Sequence, residues 1–408
     1  MGKATLEVAD IFRAHGPRYR EQHRMPVYQH KLMRAIERCR TAALGGHVER
    51  CGHCAHQRIG YNSCRNRHCP KCQNLARAKW LERRKGELLP VEYFHVVFTI
   101  PDVLHDLCLH NRGVLYNLLF QASAGALQSI ARDPKHLGAD IGFFSILHTW
   151  GQNLTLHPHI HSVVTGGGLS PDRARWISTR PGFFLSVRVL SSRFRTLFLE
   201  ALLRAAEAGQ LKFPECIDSS IDLSDPSAFK RWVQALSQID WVVYAKPPFG
   251  GPQQVLEYLG RYTHRVAICN QRLLALDEGR VTFQYKDYRQ SGDQRHRDKQ
   301  MTLDAPEFIR RFLLHSLPPG FQRIRHYGIL ASSQKRTLLP LARHLLDAKA
   351  HPLAPTRDEL AQLAIVLAAV LQPFQICPVC RIGSMQIIEY LTVSPPVSPT
   401  LPKPCDSS

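Results

Sequence analysis

The chain has 408 residues, 44% hydrophobic and 21% charged, which is enough for two or three domains with a real core and excludes a disordered or fibrous class. Lysine and arginine number 53 against 33 acids, a formal charge of +20 that points to nucleic acid as partner. No run reaches the roughly 20 apolar residues of a membrane span, residues 360–374 being interrupted by Gln362 and Gln372, and the N-terminus lacks an apolar signal core. A cytoplasmic chain with no membrane partner is expected, and in that compartment 12 cysteines favour metal over disulfides.

Residues 1–40 read as basic and helical, with Ile11, Phe12, Leu32, Met33 and Ile36 at helical spacings. Cysteines follow: Cys39, then the knuckle Cys51/Cys54, then Cys64 and the knuckle Cys69/Cys72. Two Cys-x-x-Cys pairs separated by 14 residues approach zinc-ribbon spacing, so Cys51, Cys54, Cys69 and Cys72 are the expected ligands of one tetrahedral Zn²⁺. Cys39, His47, Cys64 and His68 offer a second zinc set, against the alternative of buried thiols and surface imidazoles. Arg65, Arg67 and Lys71 lie among many cations here and are assigned to DNA contact.

A domain boundary is expected near Leu89-Pro90, before a β-branched and aromatic strand over residues 91–100. A helix is expected over 102–132. Two apolar runs, 143–150 and 156–164, then flank a polar turn and read as a β-hairpin. Alternation puts His157, His159 and His161 on one face, and a turn centred on Asn153-Leu154 brings His148 opposite His159. Imidazoles converging from two neighbouring strands suit a metal. Gly166-Gly167-Gly168 lacks phosphate-loop spacing and reads as a turn.

A helix over 187–210 and a strand over 241–246 come next, then a helix over 253–265 in which Tyr258 and Tyr262 share a face bordering its apolar stripe. Residues 281–286 read as the last strand, 287–300 as a polar basic stretch and 304–317 as a helix. Beyond Tyr327 the chain looks like an appendix. Cys377 and Cys380 form a knuckle without an obvious mate, and residues 393–408 are rich in Pro and Ser.

A basic zinc module, a histidine hairpin and paired tyrosines suit transesterification on a DNA phosphodiester. An imidazole-held metal would polarise the phosphate, with Lys246, Arg261 and Arg265 as supporting cations. The run from His148 to His161, the later Tyr258-x-x-x-Tyr262, and residues 61–72 with their Asn-Ser-Cys-Arg-Asn-Arg-His-Cys-Pro-Lys-Cys core are similar to rolling-circle transposases of the insertion sequence 91 family. His159-Ile160-His161 resembles the HUH signature of that family and of relaxases.

The resemblance spans roughly residues 10–330 and implies an α+β fold: an HUH endonuclease domain with a central antiparallel sheet and flanking helices, preceded by a small zinc-binding domain. It implies Tyr258 and Tyr262 as nucleophiles and a Mg²⁺ or Mn²⁺ ion on His159 and His161. His148 stands where relaxases place their third histidine; Gln152 is the runner-up and His157 the third choice. Implied partners are single-stranded element ends and target DNA, in the bacterial cytoplasm with nucleoid association during action. The expected division is 1–89 zinc-binding, 90–326 catalytic and 327–408 extension. A relaxase or replication initiator and a non-catalytic zinc-dependent regulator are the rival readings.

Overall fold

The computed structural model describes residues 6–72, 80–81, 84, 86–213, 222–246, 254–255, 266–287, 298–346 and 376–393. In chain order the chain forms α1 (Val8–Gln22), α2 (Val27–Glu37), β1 (Gly46–Cys51), β2 (Gln57–Tyr61), β3 (Tyr93–Thr99), α3 (His105–His110) and α4 (Arg112–Arg132). Then come β4 (Asp140–Trp150), β5 (Leu156–Leu169), β6 (Trp176–Ser178), α5 (Val187–Glu207), α6 (Pro226–Leu236) and β7 (Val243–Lys246). The C-terminal part adds β8 (Leu273–Asp277), β9 (Arg280–Lys286), β10 (Asp298–Asp304), α7 (Ala305–Leu314), β11 (Ile324–Gly328), α8 (Lys335–Leu345) and β12 (Met385–Leu391). The fold is mixed α and β with antiparallel sheets, as the sequence implies.

Among the described residues the main sheet has the order β11-β4-β5-β3-β7, with β6 paired to β5. Its two faces differ in kind. Phe94, Val96, Phe98, Leu147, Ile160 and Val164 point to one side and are buried with the apolar stripes of α4 and α5. Alternate residues, among them Tyr93, Phe144, Ile146 and Val163, face the other side and pack with Leu338, Leu339 and Ala342 of α8. Val255 belongs to this second cluster. His148, His159 and His161 lie on that same face, toward one end of the strands.

A third cluster ties the N-terminal helices to the rest. Ile11, Phe12, Met33 and Ile36 of α1 and α2 pack against Phe308 and Phe312 of α7, over the sheet β10-β9-β8. Trp150 and Leu154 from the β4–β5 hairpin, and Cys69, enter the same cluster. The small sheet β12-β1-β2 closes the N-terminal module with a strand from the far end of the chain.

Several expectations change. The first 40 residues form two helices, broken before Pro26, a residue without an N–H. The 102–132 helix divides at Asn111. Gly166, Gly167 and Gly168 lie inside β5 rather than in a turn, because backbone approaches too closely there for a side chain: a Cβ on Gly168 would stand 2.3 Å from the Asp140 carbonyl oxygen. β9 is not the last strand. β10 begins within the basic stretch, its alternating residues half-buried, which hides it from a search for apolar runs. Residues beyond 326, expected as an extension, contact both earlier parts of the chain. β11 runs to Gly328, α8 covers the main sheet, and β12 pairs with β1.

Candidate active site

The hairpin register places His148 opposite His159, as its turn length predicts. Gly151 N–H bonds to the Thr155 carbonyl, and Leu154 takes a left-handed conformation (φ 63°) with its side chain buried. Between His148/His159 and Trp150/Leu156 the register slips by one residue, a bulge on the β5 side at His157-Pro158. One ligand atom each from His148, His159 and His161 lies within 4.8 Å of the other two. Their ring centroids are 4.6 to 5.5 Å apart. His148 and His161 are buried and His159 is half-buried, so the cluster opens on one side.

The rings are aimed by neighbours. His159 Nδ1 stands 2.6 Å from the His157 carbonyl oxygen and can only donate there, which leaves Nε2 for a metal. His161 Nδ1 lies 2.8 Å from Nε2 of His95, a buried residue of β3. Metal binding through His161 Nε2 requires the Nδ1 proton to point at His95, with His95 accepting. Burial, with help from Lys246 and His159, pulls the His95 imidazole down to about 3, consistent with a neutral acceptor. His148 stacks on Trp150, centroids 4.7 Å apart. The three imidazoles fit a divalent ion, softer in preference than Mg²⁺.

Of the other ligand candidates, Gln152 lies in the hairpin turn, where its backbone carbonyl accepts from Arg272. His157 is grouped elsewhere, with Asp102 and His105.

The cysteines assemble differently from the spacing-based expectation. Cys39, Cys64, Cys69 and Cys72 form one group, with Sγ–Sγ separations of 3.4, 3.5 and 3.6 Å along three of its edges. Cys51 and Cys54 join Cys377 and Cys380, with Sγ–Sγ separations of 3.7 and 3.5 Å. Tetrahedral zinc with bonds of about 2.3 Å needs ligand sulfurs about 3.8 Å apart, so both groups fit. The set Cys51, Cys54, Cys69 and Cys72 is therefore corrected: β1 lies between β2 and β12, and the β12 side delivers the second knuckle. The set Cys39, His47, Cys64 and His68 is corrected as well. His47 Nε2 faces Glu49 at 3.3 Å, and His68 Nε2 is 3.4 Å from the Leu317 amide. Burial, then Arg67, Arg323 and His315, pull the His68 imidazole down to about 3.

Comparison with known proteins bears on both halves of the chain. A family profile described as "Transposase zinc-binding domain" matches residues 11–100, and one described as "Putative transposase" matches residues 142–337. The chain is 52% identical over 396 residues to "Putative transposase y4qJ" of Sinorhizobium fredii, covering 95% of this chain and 96% of that one. It is 30% identical over 305 residues to the "Transposase for insertion sequence element IS801" of Pseudomonas savastanoi pv. phaseolicola, 74% of this chain and 70% of that one. The chain belongs to the insertion sequence 91 family of transposases. No solved structure matches it.

In this transposase the zinc-binding profile covers one complete cysteine group and half of the other; the remaining half comes from Cys377 and Cys380. DNA contact was expected of Arg65, Arg67 and Lys71. Only Arg65 is exposed, lining a groove with Arg40 and Tyr61. Arg67 turns inward, donating to the carbonyls of Leu317, Pro318 and Phe321, and Lys71 pairs with Glu7. Both hold the zinc module in place. Lys246 is exposed on β7, across from His95. Tyr258, Tyr262, Arg261 and Arg265 lie outside the described residues. Val255, three residues before Tyr258, is buried against the sheet face that carries the histidines. No helix among the described residues is long and apolar enough to cross a membrane.

His95 is the site residue that sequence reading missed. Its strand was legible, but nothing in the run Phe94-His95-Val96 distinguishes a buried imidazole partner from a half-exposed one.

Proposed function

We propose that this transposase cuts and rejoins single-stranded DNA at the ends of its element through 5′-phosphotyrosine intermediates, using Tyr258 and Tyr262. The convergence of His148, His159 and His161 on the sheet face that also receives Val255 carries this assignment. A divalent ion, Mn²⁺ or Mg²⁺, held by these imidazoles would neutralise charge on the scissile phosphate and the leaving 3′-oxygen. The phenolic oxygen of one tyrosine attacks phosphorus, the bond to the 3′-oxygen breaks, and the proton lost by the phenol is balanced by the one the 3′-oxygen takes up. The phosphodiester energy is kept in the protein linkage, so the 3′-hydroxyl of a second strand can reverse the step without ATP. Exposed Lys246 on β7 would receive a phosphate of the strand passing the site.

Two zinc ions, one per cysteine group, serve structure: the module they hold packs against Trp150 and Leu154 of the catalytic hairpin. A basic module of this kind fits recognition of element ends, with catalysis left to residues 90–326.

Incubation of the protein with Mn²⁺ and single-stranded DNA from its own element ends should give a denaturation-stable protein–DNA adduct. The double variant Tyr258→Phe, Tyr262→Phe should give none. An adduct of undiminished yield in that variant would falsify the nucleophile assignment.

A further inference from the structure

Asp102, His105 and His157 form a fourth cluster, beside the histidine triad. Thr99 of β3 lies opposite His159, and extending that register puts Pro101 across from His157. The chain turns there into a short 3₁₀ segment, Asp102–Leu104, and then α3, which brings Asp102 and His105 over this end of β5. One ligand atom from each of the three residues lies within 4.8 Å of the other two. The His105 and His157 rings stand perpendicular with centroids 6.3 Å apart. His105 Nε2 is buried without a hydrogen-bond partner, although Asp102 Oδ1 is 3.4 Å away. Buried polar atoms are nearly always satisfied, so an orphaned imidazole nitrogen aimed toward a carboxylate and a second imidazole asks for a shared third body.

We propose that Asp102, His105 and His157 bind a second divalent transition-metal ion next to the triad. Two imidazoles and one carboxylate suit Mn²⁺, Fe²⁺, Co²⁺ or Zn²⁺ better than Mg²⁺ and leave coordination positions open to an outside ligand. The neighbouring rings of His157 and His159 are 5.1 Å apart, so the two sites flank one short stretch of β5. Binding at this site does not depend on tyrosine chemistry. Within the proposed reaction it adds positive charge where the phosphate backbone approaches the triad.

Counting bound Mn²⁺ by electron paramagnetic resonance on the full, zinc-loaded chain tests the proposal. Mn²⁺ is the weakest of the first-row competitors and leaves thiolate-bound zinc in place. The wild-type chain should bind two Mn²⁺, His105→Ala one, and His148→Ala one. Asp102→Asn alters a side chain 79% exposed, which keeps the fold out of question, and should weaken the second ion at least about tenfold. A wild-type count of one that only His148→Ala removes, or two ions retained with unchanged affinity in both His105→Ala and Asp102→Asn, overturns the proposal. A count of one that His105→Ala removes and His148→Ala does not would support this site while sinking the triad.

Discussion

Under the proposed metal site, the contact between His95 and His161 would decide which nitrogen of His161 meets the ion. With His95 Nε2 held 2.8 Å from His161 Nδ1, a proton on Nδ1 donated to His95 would leave His161 Nε2 deprotonated. Removing the acceptor frees the ring to rotate and to choose the other tautomer. His95→Ala should therefore weaken Mn²⁺ at the triad by about 10- to 100-fold, with zinc content unchanged. His95→Gln, whose carbonyl can accept, should recover part of that loss. Mn²⁺ affinity equal to wild type in the alanine variant would dismiss the orienting role. At the third ligand, His148→Ala should impair metal-dependent cleavage more than Gln152→Ala; the opposite order would return the place to Gln152. His148 was legible from sequence because a short turn fixes the register of both flanking strands. His95 was not, because its contact with His161 crosses 66 residues and depends on which strand becomes the neighbour of β5.

Among the elements, the small sheet β12-β1-β2 gives the sharpest test. Its zinc knuckles are shaped by N–H to sulfur contacts: His53 and Cys54 amides to Cys51 Sγ at 3.3 and 3.5 Å, and the Gly383 amide to Cys380 Sγ at 3.4 Å. Gly383 has no room for a side chain, since a Cβ there would lie 2.5 Å from Cys51 Sγ. Elemental analysis should find two zinc ions in the wild-type chain and one in Cys377→Ser or in Cys69→Ser. A Cys377→Ser protein that still holds two would return the C-terminal knuckle to the status of an appendix. The individual knuckles could be read from the sequence, because two thiolates three residues apart naturally share an ion. Their pairing could not. Distance along the chain favoured Cys51/Cys54 with Cys69/Cys72, whereas the strand order of a sheet made from both ends of the chain decides otherwise. Of the main sheet, β3, β4 and β5 were legible because they are buried runs rich in β-branched and aromatic residues, whereas β11, half-buried along its length, and β6, three residues long, were not, and β8 and β10 are short or polar on alternate sides.

At the scale of the whole molecule, the N-terminal module and the β4–β5 hairpin share a core, and the buried His315 ties that core to the hairpin turn. His315 accepts from Thr149 Oγ1 (3.3 Å) and donates to the Leu154 carbonyl (3.1 Å), so it clamps the hairpin turn to the end of α7. Burial is the main force that pulls its imidazole from 6.5 to about 4. Burial also takes His326 from 6.5 to about 4, with Arg84 next in effect. Each is neutral in the folded chain and takes a proton more readily when unfolded. Their contribution is intact above pH 6.5 and is lost as pH falls from 6.5 toward 4, at up to about 1.4 kcal/mol per unit for each group. Denaturant midpoints of the zinc-loaded protein should fall across that window and hold steady from pH 7 to 8. A midpoint unchanged between pH 7 and 5 would contradict the burial of these rings.

The closure of the Cys51/Cys54 knuckle by Cys377/Cys380 has a consequence for the life of the nascent chain. Cys54 and Cys377 are 323 residues apart. At about 5–20 residues per second, a ribosome needs on the order of 16 to 65 seconds to make the intervening chain. Through that interval the first two thiolates have no protein mates, and β1 has β2 on one side but an open edge on the other. That cysteine group can therefore close only after Cys377 and Cys380 have been made. A chain broken off before Cys377 lacks two of the four thiolates of that group and leaves the β12-facing edge of β1 in its own zinc module uncovered.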